Sequence, residues 1–331
     1  MIPPFTDIIA KRGGKVKPCA KRGTYRGFFE KCLDKPAPIC YLKSRTVKEG
    51  HAMLRLMSNN VWNRDKNAPA WEERGEDCSA PARAPLFTRI YEETRPDVIG
   101  MQEMTNLMTR ELVSGLAAKG LNYAVLWGNF TPIFYRPEKL DLLDTAYLPY
   151  PEKVPGFDGC FNDVKSKSAL FAVFREKESG KRFLFVTTHL WWKSSNPAWN
   201  SFQAGSDEAR AYQVELLLDR ARKMQEKCHC PAVVVGDLNT TLASPAVQTL
   251  RNGGFRYAAD IATDFATTEH GYHKCDPSGY APYTPRPITE AIDHIFVSAA
   301  PALTVRRFDR PTPAYYAPAS DHFPAFVDVE L

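Results

Sequence analysis

From residue 53 onward the apolar positions alternate between short runs that fit strands and longer stretches with helical spacing. "MLRLMSNNVW" (53–62) predicts a first strand and "DVIGMQE" (97–103) a second. "YAVLWG", "TPIFYR", "SALFAVFRE", "RFLFVTTHL", "AVVVGDL", "AIDHIFVSA" and "HFPAFVDVEL" predict the others. "FREKESGKRF" reads as a hairpin that turns at Ser179-Gly180. Between these runs, Leu86, Phe87, Ile90 and Tyr91 share one face of a helix over 84–95, with Pro96 as its stop. Residues 63–83, broken by Pro69 and Pro81, read as a loop. Thr105 caps a helix that carries Leu107, Met108, Leu112 and Leu116 and ends at Gly120. The clearest helix covers 206–227, with Ser206 as N-cap and a stripe of Val214, Leu217, Leu218, Ala221 and Met224. A short helix follows near "PAVQTLRNG". No repeat interrupts this alternation, so 53–331 predicts one α/β domain with mixed sheets.

Composition places the chain among ordinary globular proteins, with 44% hydrophobic and 24% charged residues. It contains no apolar run of membrane-spanning length and no apolar core of the signal-peptide kind, so a cytoplasmic location is expected. Eight scattered cysteines form no paired C-x-x-C knuckle. The Cys228-His229-Cys230 triplet reads as a loop, and reduced thiols are expected throughout. The net charge of +5 is unevenly placed: residues 1–52 hold 12 Lys+Arg against 4 Asp+Glu, and the rest holds 31 against 34. The first 52 residues are therefore a basic extension, either a nucleic-acid-binding arm or a solvated tail. Met53, directly before the first strand, would be a natural initiator. A mildly acidic body does not favour a long polyanion, which is held through phosphate neutralisation by Lys and Arg.

The informative polar residues lie where strands end. Asn60 closes the first strand, Glu103 the second, His189 "FVTTHL", and Asp237 with Asn239 "VVVGDLN". Asp293 opens "IDHIFVS", and Asp321 and His322 precede the last strand. Any one of these has a structural explanation as a loop cap or a buried histidine. Together, on strands that converge at one edge, they predict a pocket. The oxygens of Asn60, Glu103 and Asp321 suit Mg²⁺ or Mn²⁺. Asp237 can orient or deprotonate a water, Asn239 and His189 can donate to phosphate oxygens, and Asp293 can orient His322. The chemistry this set suits is phosphoester hydrolysis.

The pieces "SNNVWN", "DVIGMQE", "TTHL", "GDLN", "IDHIFVS" and "SDHFP", in this order across 58–324, resemble the endonuclease/exonuclease/phosphatase superfamily, which has the fold of deoxyribonuclease I. The resemblance implies a four-layer α/β sandwich: two mixed β-sheets packed face to face, with helices on both outer faces. It implies that Glu103 is the main metal ligand, with Asn60 and Asp321 near the metal. Asp237 would then position the water, Asn239 and His189 would hold the phosphate, and His322 would contact it while paired with Asp293. One local departure lies in "EAIDHIF", where many relatives have Arg at the position of Ala291 and Tyr or Trp at that of His294. "TPIFYRPEKLDLLDTAYL" and "TEHGYH" resemble bacterial members nearest the deadenylase-like branch.

The substrate is less legible, since a fold hosts many substrates. A small phosphorylated molecule is favoured, a nucleic acid is the second reading, and an inactive scaffold on the same fold the third. No obligate protein partner is evident. Trp191 and Trp192, directly after His189, are candidate stacking surfaces, with Trp199 in the same loop, 191–205. His270 and Arg136 are further candidate contacts, whereas His51 and His273 read as surface residues.

Overall fold

The computed structural model describes residues 53–271, 275–276, 279–280 and 286–331. The basic extension, with His51, lies outside the described residues, as does His273.

Among the described residues, fifteen strands and six α-helices follow in chain order. The first sheet is built from β1 (Met53–Asn60), β2 (Val98–Gln102), β3 (Ala124–Leu126), β4 (Ile133–Tyr135), β10 (Asp264–Phe265), β14 (Thr304–Asp309) and β15 (Ala325–Glu330). The second contains β5 (Leu140–Pro149), β6 (Ser168–Glu176), β7 (Arg182–His189), β8 (Ala232–Asp237), β9 (Phe255–Tyr257) and β13 (Asp293–Ser298). β11 (Cys275–Asp276) and β12 (Gly279–Tyr280) form a separate pair. The strand orders are β10-β14-β15-β1-β2-β4-β3 and β5-β6-β7-β8-β13-β9. Both sheets are mixed: β1 runs parallel to β2 and β7 parallel to β8, while β13 returns antiparallel to β8. The helices are α1 (Pro69–Glu72), α2 (Ala80–Thr94), α3 (Asn106–Ala118), α4 (Ser206–Cys228), α5 (Pro245–Asn252) and α6 (Ala258–Ile261).

The side-chain period of two along a strand makes this a four-layer sandwich. Met57, Ile99 and Met101 point out of the first sheet against Phe87 and Tyr91 of α2 and Leu112 of α3. Leu54, Leu56 and Val98 point the other way, into a core shared with Phe171, Phe185 and Val235 of the second sheet. Val214 and Leu217 of α4 and Leu250 of α5 cover the far face. At Gly100 of β2 the sheets leave no room for a side chain. A Cβ there would lie 2.6 Å from Val235 Cγ2 and 2.7 Å from Thr187 Cβ, inside van der Waals contact. Among the described residues no helix is long and apolar enough to cross a membrane. Cys78, Cys160, Cys228 and Cys230 are free thiols.

Several elements differ from the sequence reading. The helix expected over 84–95 begins at Ala80, and the preceding loop contains α1. Pro81 falls in the first turn of α2, where its missing N–H costs nothing, and Pro85 gives up one backbone bond inside the helix. The N-cap of α4 is Gly205 in the left-handed region; Ser206 is the first helical residue, and its hydroxyl donates to the Gln203 carbonyl. Thr105 does cap α3, accepting from the Met108 N–H. β5, β9, β10 and β14 went unforeseen.

Candidate active site

The parallel pairs bring strand ends together. In register, Asn60 lies beside Gln102 and His189 beside Asp237, and antiparallel pairing sets Asp293 opposite Asp237. Glu103 follows β2 with φ 60°, and Asn239 follows β8 with φ 51°. Both are left-handed conformations that cost a non-glycine residue on the order of 1–2 kcal/mol, and such conformations gather at functional sites. Gly236 is required by space. Its φ is 155°, and a Cβ would stand 2.0 Å from the Thr188 carbonyl oxygen on the neighbouring strand. What the missing side chain clears is β7.

The side chains converge on Asp237. Its Oδ2 accepts from Asn60 Nδ2 at 3.0 Å, and Oδ1 accepts from the Asn239 main-chain N–H at 2.8 Å. His189 Nε2 stands 3.5 Å from Asp237 Oδ2, and His322 Nε2 stands 3.9 Å from the same atom. His322 Nδ1 is hydrogen-bonded to Asp293 Oδ2 at 2.7 Å, and its Nε2 is 3.9 Å from Asp321 Oδ1. Glu103 joins through Oε1, 3.3 Å from Asn60 Nδ2 and 4.0 Å from His189 Nε2. Its Oε2 accepts the Asn63 N–H at 2.9 Å.

Exposure divides the carboxylates. The Asp237 side chain is 2% exposed, whereas those of Glu103 and Asp321 are 29% and 24% exposed. The open pair is where a hydrated cation can land; the closed one is deeper. Asp321 Oδ1 is a buried oxygen with no hydrogen-bond partner, the kind of atom a hard cation satisfies. The donor set therefore fits Mg²⁺ or Mn²⁺. Among the described residues, two groups of ligand-type atoms lie within 4.8 Å of one another: Glu103–His189–Asp237 and Asp237–Asp293–His322.

The electrostatics follow from burial. Burial raises the carboxyls of Asp237 and Asp321 above the usual range, since each charged form loses water and faces other anions; His322 partly opposes this. Burial pulls His322 down, but Asp293 and Asp321 overcome it and hold the imidazolium well above its ordinary value. His189 goes the other way, kept neutral by burial, by Lys167 and by His322.

Lys167 is the residue that sequence reasoning missed. It is 4% exposed, and its Nζ donates to His189 Nε2 at 2.8 Å. Burial lowers its affinity for the proton, while Glu103 and Asp237 oppose that shift. The signal was available: Lys167 precedes Ser168, which pairs directly with His189. It lay hidden in "VKSKS", which reads as loop.

The other expected contacts are placed as follows. Asn60, expected near the metal as an oxygen ligand, turns its nitrogen to Glu103 and Asp237, because its Oδ1 accepts the Trp62 N–H at 2.9 Å. Asn60 is thus a tether between carboxylates. Trp191 is 2% exposed and packs edge-on against Phe161, so it belongs to a small core; Trp192 is 43% exposed and donates from Nε1 to Asp163. Arg136 lies at the end of β2 opposite Glu103, paired with Asp97 and Glu138. His270 is buried, on the segment whose Gly271 carbonyl accepts the Phe323 N–H beside His322. At the departure noted in sequence, Ala291 is buried and His294 is hydrogen-bonded through Nε2 to the Thr240 carbonyl at 2.8 Å. A guanidinium still reaches Asp293: Arg310 donates to its carbonyl from the segment after β14.

Comparison with known proteins bears on the fold and the family. The chain is 28% identical over 202 residues to the CCR4-Not complex 3'-5'-exoribonuclease subunit Ccr4 of Debaryomyces hansenii, an alignment covering 52% of this chain and 23% of that protein. An endonuclease/exonuclease/phosphatase structure from Bacteroides vulgatus superposes with a TM-score of 0.62 at 24% identity, covering 85% of this chain and 99% of the other. A mannosyl-6-phosphatase from Bacteroides thetaiotaomicron gives 0.62 at 21% identity, covering 84% and 100%. Residues 60–322 match the Endonuclease/Exonuclease/phosphatase family along their length, a span that runs from Asn60 to His322, and to that family the chain belongs.

Proposed function

We propose that this chain is a Mg²⁺- or Mn²⁺-dependent phosphoesterase that cleaves a small phosphorylated substrate by in-line attack of water. The observation that carries the reading is the convergence of Asn60, His189 and His322 within 3.9 Å of one oxygen of Asp237, beside the more open Glu103 and Asp321. Glu103 and Asp321 would hold the divalent ion, which would supply neutralisation of the charge that builds on the phosphoryl oxygens. Asp237, fixed by Asn60 and the Asn239 N–H, orients the attacking water and takes its proton. His322, kept protonated by Asp293, donates to a phosphoryl oxygen, and Lys167, donating to His189 Nε2, holds that ring in place beside the phosphate. Asn239 is anchored by donation to the Leu190 carbonyl at 3.1 Å, which leaves its remaining N–H for the substrate.

Two substitutions test the division of labour. Asp237→Asn is expected to lower turnover by about 10²–10⁴ with little change in Mn²⁺ requirement. Glu103→Gln is expected to raise the Mn²⁺ requirement about tenfold or more. Identical metal titrations for the two variants would refute it. Nuclease activity is the second reading, favoured by the exoribonuclease relative and by exposed Trp192 and Trp199 on the loop after β7. A Mn²⁺-supported screen of sugar phosphates, nucleotides and short RNA separates the two readings by which class turns over.

A further inference from the structure

Arg83, on the first turns of α2, is 1% exposed. A guanidinium has five N–H donors in a rigid fork, and here each meets a main-chain carbonyl. Nε donates to Cys78 at 2.8 Å; Nη1 to Val61 at 2.7 Å and to Ala319 at 2.6 Å; Nη2 to Trp62 at 3.0 Å and to Arg64 at 2.5 Å. These acceptors are not scattered. Val61 and Trp62 follow Asn60 directly, and the turn they begin donates Trp62 N–H to Asn60 Oδ1 and Asn63 N–H to Glu103 Oε2. Ala319 opens the segment in which Ser320 Oγ donates to the Asn60 carbonyl, ahead of Asp321 and His322. One nitrogen, Nη1, thus ties the turn that steers Glu103 to the segment that presents Asp321. The Trp62 ring closes over the guanidinium, 5.1 Å from its carbon.

We infer that Arg83 is a positioning residue for the divalent-metal site: its fork sets the separation of Glu103 and Asp321 without touching metal or substrate. Lysine cannot substitute for it, since an ammonium has three donors and cannot reach five carbonyls. The inference rests on the metal reading proposed above. It is tested by calorimetric titration of the full chain with MnCl₂, comparing the wild type, Arg83→Lys, Arg83→Met and, as control, Glu103→Gln. Melting temperatures are recorded alongside.

The expected result is wild-type binding, weaker binding in Glu103→Gln, and a tenfold or greater loss of Mn²⁺ affinity in both Arg83 variants, larger than their change in melting would suggest. Lower melting with unchanged Mn²⁺ affinity in the Arg83 variants would overturn the inference and leave the metal reading intact. No Mn²⁺ binding by the wild type would overturn both. Hydrogen exchange on the wild type gives an answer if neither variant folds. Mn²⁺ should slow exchange in 60–64 and 319–322 together, and protection confined to one of the two segments would refute the coupling.

Discussion

Asp293→Asn keeps the size of the side chain and one acceptor but removes a charge from the His322 pair. That pair is 2.7 Å long with both side chains at most 5% exposed, so solvent does little to screen it. A hydrogen bond to a charged partner contributes about 1.5–3 kcal/mol. At 1.36 kcal/mol per pKa unit, losing most of it lowers the His322 value by about 1–2 units. The alkaline limb of the pH–rate profile should move down by that amount, and turnover should fall about 10²-fold as the imidazolium loses its orientation. Stability carries the same signature. His322 is raised on folding, so its contribution is complete below about pH 6.5 and is lost as pH rises through the folded value. The melting gap between wild type and variant should therefore be widest at mildly acid pH and close at alkaline pH. Rate profiles at saturating Mn²⁺, NMR titration of the His322 ring and paired melting curves measure all three. An alkaline limb that stayed in place while His322 titrated unchanged would refute the reasoning.

Other expectations follow from burial and space. Asp237 and Asp321 are raised on folding, so the metal-free protein binds protons there that the unfolded chain has released above about pH 4; its stability falls as pH rises through the folded values. Metal needs the carboxylate forms, so the melting increase given by Mn²⁺ should grow between pH 5.5 and 7.5, as differential scanning would record; an increase that shrank would put the ion elsewhere. Gly236→Ala should be severely destabilising, by about 3 kcal/mol or more, because the new methyl meets the Thr188 carbonyl at 2.0 Å. Denaturant melts check this, and a loss under 1 kcal/mol would mean that β7 and β8 can part without cost.

The strands at the centre of each sheet were legible because both their faces are buried and their apolar runs are unbroken. β5 was not: its alternation of half-buried and exposed residues is interrupted by the register shift between Leu142 and Asp144, as suits an edge. β14 carries Arg306 and Arg307, whose ion pairs to Glu330 and Asp309 appear only in the fold. The site was legible for a related reason. Carboxylates and histidines at strand ends have no packing purpose, so Glu103, His189, Asp237 and Asp293 stood out. Lys167 sat among other polar residues, and Arg83 closed a polar stretch that read as loop, so neither could be told apart by composition. Which Trp of the adjacent pair faces solvent depends on the Phe161 pocket, which no local pattern encodes.

Gly100 gives the site a property that none of its functional groups has alone. Glu103 hangs from the first sheet, while His189 and Asp237 hang from the second. Two or three residues below all of them, the gap between sheets is held by a single hydrogen atom against Thr187 and Val235. The sandwich is a caliper, and the distance across the chemistry is its reading. A methyl group there would open the jaws by about 1 Å, a displacement large enough to cost about 10²-fold in rate. The loops around the rim can vary in length and composition without disturbing that setting, so the fold can change what it admits while keeping fixed what it does.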